Sequence, residues 1–401
     1  MMYLGELRTY WRFLTAAALG QAAGYNLSTY INNVFTPQLI NQFAWSRSSV
    51  ALVGTAALLG VVCQPIGGRL TDAFGVRRVA LIGVVSAPLV FVGFGSMTGS
   101  FSQFFLLNVI QIIIVGGTTS VTIYSRLIAQ RFDRARGIAL AIVACAPAAA
   151  GAICVPFLSH FVNAGAWREG YFGLAVGTAI AGATAMLLIP AGADIRQGGE
   201  RQHRDASQDY GAILRNSAFQ LIVGGMVLCN LSFSMQTSQL KVILLDRGVD
   251  SSTGSLTISL FAISVVAGRL LCGLALDRLP TYAVAALAMG IPSVGLSILA
   301  SGLSAPMVIT PAVLLMGLSV GAESDVLAYL VMRFFRVEVY STIVGLILGA
   351  IALSITVGSL LLSLTLKSSG SYTPFLVISG TSALVGGVMF LQLRRASPAA
   401  G

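Results

Sequence analysis

The sequence predicts an all-α membrane protein: twelve transmembrane helices in two related six-helix halves, with both termini cytoplasmic. Three observations predict it. Of the 401 residues, 56% are hydrophobic and only 9% are charged, where a soluble domain carries about 25% charged residues. The apolar residues gather in runs of about 20–25, the length that crosses a bilayer as a helix. And Gly68 and Asp72, which lie between two such runs, recur 205 positions later as Gly273 and Asp277.

Taken in order, the expected helices are 13–37, 48–70, 79–98, 101–126, 137–160, 168–190, 214–239, 252–276, 281–301, 306–331, 339–366 and 372–391. The first run lacks a convincing cleavage signal and is read as a retained span. Glycines, 44 in all, are spread through the runs, as expected where helices pack closely. Ala146-Pro147-Ala148-Ala149-Ala150-Gly151 reads as a kinked, closely packed contact in the fifth helix. The polar stretch 191–213 divides the chain into halves, 1–190 and 214–401, and is read as a cytoplasmic linker.

Charge sets the orientation. Arginines from Arg8 and Arg12 through Arg77 and Arg78 to Arg394 and Arg395 fall at one set of helix ends, whereas the other set has only Arg47, Arg168, Lys241, Arg247 and Lys367. The arginine-rich side is therefore the cytoplasmic one. The net charge of +10 consists of arginines that punctuate apolar runs, which sets topology and gives no nucleic-acid surface. The five cysteines lie in apolar segments without metal-ligand spacing, and the two histidines are far apart. No cofactor, metal centre or catalytic triad is expected.

The turn after the second run reads Gly68-Arg69-Leu70-Thr71-Asp72-Ala73-Phe74-Gly75-Val76-Arg77-Arg78. Gly68 and Gly75 are expected to permit close chain approach. Asp72, beside Arg77 and Arg78, is expected to latch one closed state, with Gly273, Asp277 and Arg278 as the second copy. This turn resembles the signature loop of the major facilitator superfamily, and the likeness extends over essentially the whole chain. It implies the major facilitator fold and a secondary transporter whose central cavity opens alternately to each side. Finer features, Phe35-Thr36-Pro37-Gln38-Leu39-Ile40 with Phe43-Ala44-Trp45-Ser46-Arg47, Arg131 to Leu140, and Gly321-Ala322-Glu323-Ser324-Asp325, resemble bacterial monocarboxylate-transporter-like and oxalate–formate-exchanger-like members.

Arg269 belongs to neither set of helix ends. It lies eight residues before Asp277, so about 12 Å deeper, where a charge facing lipid is expensive. It is expected to face a cavity and bind an anion, most naturally a carboxylate, or else to pair with an intramembrane acid. The resemblance supports the first role, because those relatives use an anion-binding arginine in the eighth span. The chain departs from them too. Val265 stands where animal members have an aspartate, and neither the first nor the eleventh span carries their lysine. A dicarboxylate cargo is disfavoured accordingly.

Gln64 is the counterpart of Arg269 in the first half. Tyr25, Asn32 and Tyr124 are further candidates for hydrogen bonds to cargo, with helix–helix bonding as the alternative. Glu323 and Asp325 are the remaining intramembrane acids and the candidates for a coupling proton or for balancing Arg269; two residues apart, they point to different sectors of a helix. The expected function is secondary active transport of a small organic monocarboxylate, aliphatic such as lactate or pyruvate or small and aromatic. Coupling to protons is the favoured mode. The expected setting is a bacterial cytoplasmic (inner) membrane, with a monomer embedded in the lipid bilayer. Organic anion exchange, efflux of amphipathic compounds and a membrane-embedded sensor are the competing readings; an enzyme is not expected.

Overall fold

The structure is a computed structural model that describes residues 2–129, 131–132, 135–189, 213–303, 305–335 and 340–395. Almost all of the expected linker 191–213 lies outside the described residues, as do the side chains of Gln64 and Asp72.

The chain is helical throughout the described residues. The first half holds α1 (Met2–Thr9), α2 (Trp11–Ala22), α3 (Ser28–Phe43), α4 (Arg47–Ala51), α5 (Ala57–Phe74), α6 (Val76–Gly95), α7 (Phe101–Ile110), α8 (Val121–Ala129), α9 (Arg136–Asn163) and α10 (Trp167–Leu188). The second holds α11 (Ser217–Asn230), α12 (Phe233–Ser238), α13 (Leu240–Asp246), α14 (Ser251–Leu276), α15 (Thr281–Gly290), α16 (Pro292–Ala300), α17 (Pro306–Phe334), α18 (Tyr340–Ser369) and α19 (Thr373–Gln392). Three starts carry polar side-chain caps. The Ser46 hydroxyl accepts from Ser49 N–H at 3.0 Å, Asn216 Oδ1 from Ala218 N–H at 2.8 Å, and Asp250 Oδ2 from Thr253 N–H at 2.9 Å. Each satisfies a donor that a helix start leaves unpaired.

Among the described residues, ten helical stretches are long and apolar enough to cross a membrane. The two other expected spans are not continuous, and this corrects the sequence reading. The run 13–37 breaks after Ala22, where Gly24 is extended, and resumes through a short 3-10 turn, Tyr25–Leu27. The run 101–126 passes through a π-helical stretch, Gln111–Gly116, and bends before Val121. The expected helix 214–239 is also interrupted, between Asn230 and Phe233 and again at Gln239. Each break carries polar residues, Asn26 and Ser28 in the first, Gln111 and Thr118 to Ser120 in the second, and Asn230, Ser232 and Gln239 in the third, but polar residues also occur in unbroken spans, so they do not by themselves reveal a break. Tertiary hydrogen bonds take over the freed backbone groups: Tyr25 N–H donates to Thr119 Oγ1 at 3.0 Å, and Leu240 N–H to Asn33 Oδ1 at 2.8 Å.

The chain forms two compact units. Unit 1 comprises Met1–Ile195 together with Thr237–Asp246 and Asp250–Ile263; unit 2 comprises Arg196–Gln236, Arg247–Val249 and Ser264–Gly401. The first therefore takes in α13 and the first half of α14 as well as the expected 1–190 segment.

Helices meet at backbone distance within each unit. In unit 1, a Cβ on Gly67 would lie 1.8 Å from Gly117 O. In unit 2, a Cβ on Gly268 would lie 2.1 Å from Leu318 O, and one on Gly321 would lie 2.0 Å from Val265 O. Lipid provides no hydrophobic force between helices, so close van der Waals approach through small residues is what holds them. The signature glycines act differently from the expectation. Gly68 and Gly273 have nothing within 4 Å of an added Cβ; the neighbour Gly67 makes the tight approach. Gly75 has a φ of +85°, a conformation that residues with a Cβ adopt at a cost.

Two substitutions test this packing. Gly321→Leu should lower thermal stability in detergent by about 1–3 kcal/mol, as overpacking does. Gly273→Ala, in open space within α14, should leave the melting temperature no lower and raise it slightly, because alanine is the better helix former.

Candidate functional site

The Gly268 and Gly321 contact brings α14 and α17 together where each carries a charge. Arg269 follows Gly268, and Glu323, Ser324 and Asp325 follow Gly321 by two to four residues. Beside this contact is a cavity of about 340 Å³ lined by Arg269, Glu323, Ser324, Phe233 and the apolar residues of α17 and α18, among them Leu327 and Leu348. A few polar groups converging on apolar walls, in a space of this size, fit a small organic ligand.

Arg269 Nη2 donates to Ser324 Oγ at 2.7 Å, and Ser324 also hydrogen-bonds Asp325. Arg269 has no ion pair with a carboxylate among the described residues. Glu323 accepts a hydrogen bond from the side chain of Asn230 on α11. Both acids lie within electrostatic reach of Arg269. Their different sectors matter: Glu323 lines the cavity and Asp325 does not. The guanidinium is thus held in place by a neutral hydroxyl, with donors left for an anion. Arg269, Glu323 and Asp325, singled out in the sequence, are brought together; Ser324 was given no role there, and Asn230 was one of several polar residues of the expected helix 214–239 left open between cargo contact and helix–helix bonding. An intramembrane hydroxyl or amide is too common a residue to signal a role.

The candidates of the first half lie in unit 1: Tyr25 at a helix break, Asn32 within α3, Gln64 within α5 and Tyr124 within α8, which follows the second break. Tyr25 is on the 3-10 turn, held through its backbone to Thr119, with its ring against Gly116 of the π stretch. One turn on, Gln111 Nε2 donates to Ser28 Oγ at 2.7 Å. Such π turns are frequent at functional sites. Asn32 is half-buried on α3. Tyr124 is fully buried, its ring against Gly20 of α2. Its hydroxyl and the amide of buried Gln21 have no hydrogen-bond partner among the described residues. Of the gating candidates, Asp277 accepts from Tyr329 Oη on α17 at 2.9 Å, so its described partner is a tyrosine and not Arg278.

Unit 1 also holds a clamp that the sequence does not disclose. Arg47 makes a two-pronged ion pair with Asp246 at the end of α13, and Gln239 Nε2 donates to Arg47 O at 3.2 Å. Ser251 Oγ donates to Asn163 Oδ1 at 2.8 Å. Lys241, read above as an outer-end charge, is 1% exposed, with Nζ donating to Ser255 Oγ at 2.8 Å. It lies between the spans Ser217–Ser238 and Ser251–Leu276. Burial pushes its ammonium down to about 8.

Residues 17–359 match the Major Facilitator Superfamily. The chain belongs to that superfamily. This superfamily member is accordingly a multi-pass membrane transporter of the secondary-active, alternating-access kind, and not an enzyme. A human relative, monocarboxylate transporter 11, is 23% identical over 98% of this chain and 84% of its own length. Among solved structures, the nucleoside transporter NupG superposes with a TM-score of 0.75 at 11% identity, covering 96% of this chain and 100% of that one. A POT family transporter in complex with 5-aminolevulinic acid gives 0.74 at 14% identity, covering 96% of each chain. The xylose transporter XylE from E. coli gives 0.71 at 14%, covering 98% and 99%. These structural likenesses establish the fold.

The clamp and the buried lysine can each be tested by substitution. Arg47→Asp or Asp246→Arg alone should lower the melting temperature, and the charge-swapped double variant should restore it; the half-exposed pair is worth about 0.2–1 kcal/mol. Lys241→Met should raise the melting temperature more at pH 7 than at pH 10. The native pKa lies below the ordinary lysine value, so the desolvation cost is complete below about pH 8 and fades as the unfolded-state lysine also loses its proton.

Proposed function

We propose that the protein carries a small organic monocarboxylate across a bacterial cytoplasmic membrane, with Arg269 binding the carboxylate and Glu323 carrying a proton. The observation that carries this reading is the shared cavity, in which a guanidinium without an ion-pair partner among the described residues and a carboxyl group face the same small space. A cation in an apolar span is costly unless an anion comes to it, and a planar carboxylate suits the forked donors of arginine. The 340 Å³ volume suits an acid the size of lactate or a small aromatic acid. The human relative carries the monocarboxylate name over nearly the whole chain, which agrees.

A proton on Glu323 accounts for energy coupling. An inside-negative membrane potential opposes import of an anion by about 2.3 kcal/mol per charge per 100 mV; a proton moving with it cancels that term. Glu323 is favoured over Asp325 because it lines the cavity and has a neutral hydrogen-bond partner in Asn230. Within unit 1, Tyr25 and Asn32 remain the proposed hydrogen-bonding contacts to cargo, with Gln64 and Tyr124 behind them. Gly68, Asp72, Gly75, Arg77 and Arg78, with Gly273, Asp277 and Arg278, are proposed to stabilise the closed cytoplasmic side.

Uptake into proteoliposomes, screened over labelled monocarboxylates with and without an inward proton gradient, tests the proposal. Arg269→Gln should weaken saturable uptake by about 10–100-fold, the worth of one or two charge-assisted hydrogen bonds. Glu323→Gln should abolish gradient-driven accumulation while sparing exchange of cargo for cargo. Transport of chemically unrelated amphipathic compounds, indifferent to Arg269, would establish efflux instead.

A further inference from the structure

A second and larger space opens in unit 2, apart from the Arg269 cavity. It has a volume of about 810 Å³ and is lined by Ser217 and Leu221 of α11, Tyr282 of α15, and Val388, Leu391, Gln392, Arg394 and Arg395 at the end of α19. Three helices meet there. Within two turns they are in tight contact, since a Cβ on Gly387 would lie 2.8 Å from Gly290 Cα and one on Gly225 would lie 2.6 Å from the ring of Phe390. The groove is what remains where their ends diverge.

Its two sides differ in chemistry. Leu221, Val388 and Leu391 are on membrane-spanning stretches, and Val388 and Leu391 are each about half exposed, at 49% and 48%. The other side is polar and positive. After α19 the chain tightens into a 3-10 turn, Leu393–Arg395, in which Leu393 is 1% exposed and anchors the turn. Arg394 and Arg395 are left exposed on the groove. Neither pairs with a carboxylate among the described residues, and no acidic residue is among those that line the groove. Ser217, Tyr282 and Gln392 complete the lining.

We infer that this groove is a binding site for an anionic phospholipid, whose phosphate lies on Arg394 and Arg395 and whose acyl chain runs along Leu221, Val388 and Leu391. A free phosphate would use the arginines and leave the apolar wall uncovered; a zwitterionic lipid would cover the wall and bring a compensating cation to the arginines. An anionic headgroup on a hydrocarbon tail satisfies both sides at once. The position agrees with the source of such a lipid, because the arginine-rich helix ends are those the sequence assigns to the cytoplasmic leaflet, and basic pockets between helices on that side suit anionic headgroups.

Native mass spectrometry of the full chain in mild detergent, titrated with phosphatidylglycerol, phosphatidylcholine or inorganic phosphate, tests the inference. Phosphatidylglycerol should be retained in preference to phosphatidylcholine. Its affinity should fall about 30-fold in Arg394→Gln/Arg395→Gln, from about 1 kcal/mol per basic residue. Arg8→Gln/Arg12→Gln removes the same charge elsewhere and should retain the lipid. Val388→Glu, with both arginines present, should also lose it. Equal retention of the two lipids, equal loss in the two double variants, or displacement of phosphatidylglycerol by millimolar phosphate would overturn the assignment. The last would mark a free-phosphate site.

Discussion

The approach of α14 to α17 at backbone distance is the contact on which the candidate site depends. Gly268 and Gly321 leave no room for a Cβ, and each is within two residues of a charged group, Arg269 and Glu323. In lipid, where apolar surface gains nothing by leaving its solvent, two helices stay together through close packing and through polar groups that have no other partner. Both effects act at the same level of the helix pair. The glycines bring the backbones together, Ser324 supports Arg269, and Asn230 supports Glu323. The charges thereby face a cavity and each other's field, not hydrocarbon.

The interrupted helices are the second organising feature. Five of the expected spans are interrupted among the described residues: at Gly24, around Gln111–Gly116 and after Asn230, and also at the 3-10 turn Leu52–Ala56 and at Ile291. A broken helix in a membrane must satisfy its freed backbone groups within the protein, and here Thr119, in the bend before α8, and Asn33, on α3, do so. The same interruptions place Tyr25, Ser28, Gln111 and Asn230 where side-chain polarity is tolerated. Irregular backbone at membrane depth is where transporters of this architecture put polar chemistry.

Charge is used in three different ways along the chain. Arginines gather at helix ends, and two of these, Arg394 and Arg395, also line an apolar groove. The Arg47–Asp246 pair and the buried Lys241 lie in unit 1, where burial and pairing, not topology, determine their energetics. Arg269 alone among the described arginines combines a place within a span, seven residues from the end of Ser251–Leu276, with a place on the wall of the 340 Å³ cavity. A single residue type thus has distinct roles that its immediate sequence neighbours do not distinguish.

The amino-acid sequence by itself determined the membrane class, the superfamily resemblance and most of the helix bounds, because long apolar runs and arginine-rich turns are local properties. The observed stretches Arg136–Asn163, Ser251–Leu276 and Pro306–Phe334 lie close to the expected 137–160, 252–276 and 306–331. It also pointed to Arg269, Glu323 and Asp325, since a charge within an apolar run is visible without a fold. Only the tertiary structure decided which of the two acids faces the cavity, that Ser324 and Asn230 support the site, and that Gly67 and not Gly68 makes the close approach. It alone matched Arg47 with Asp246, 199 residues away. Those are matters of which helix faces turn toward one another, and in lipid nearly uniform apolarity around each helix removes the pattern from which a face could have been read.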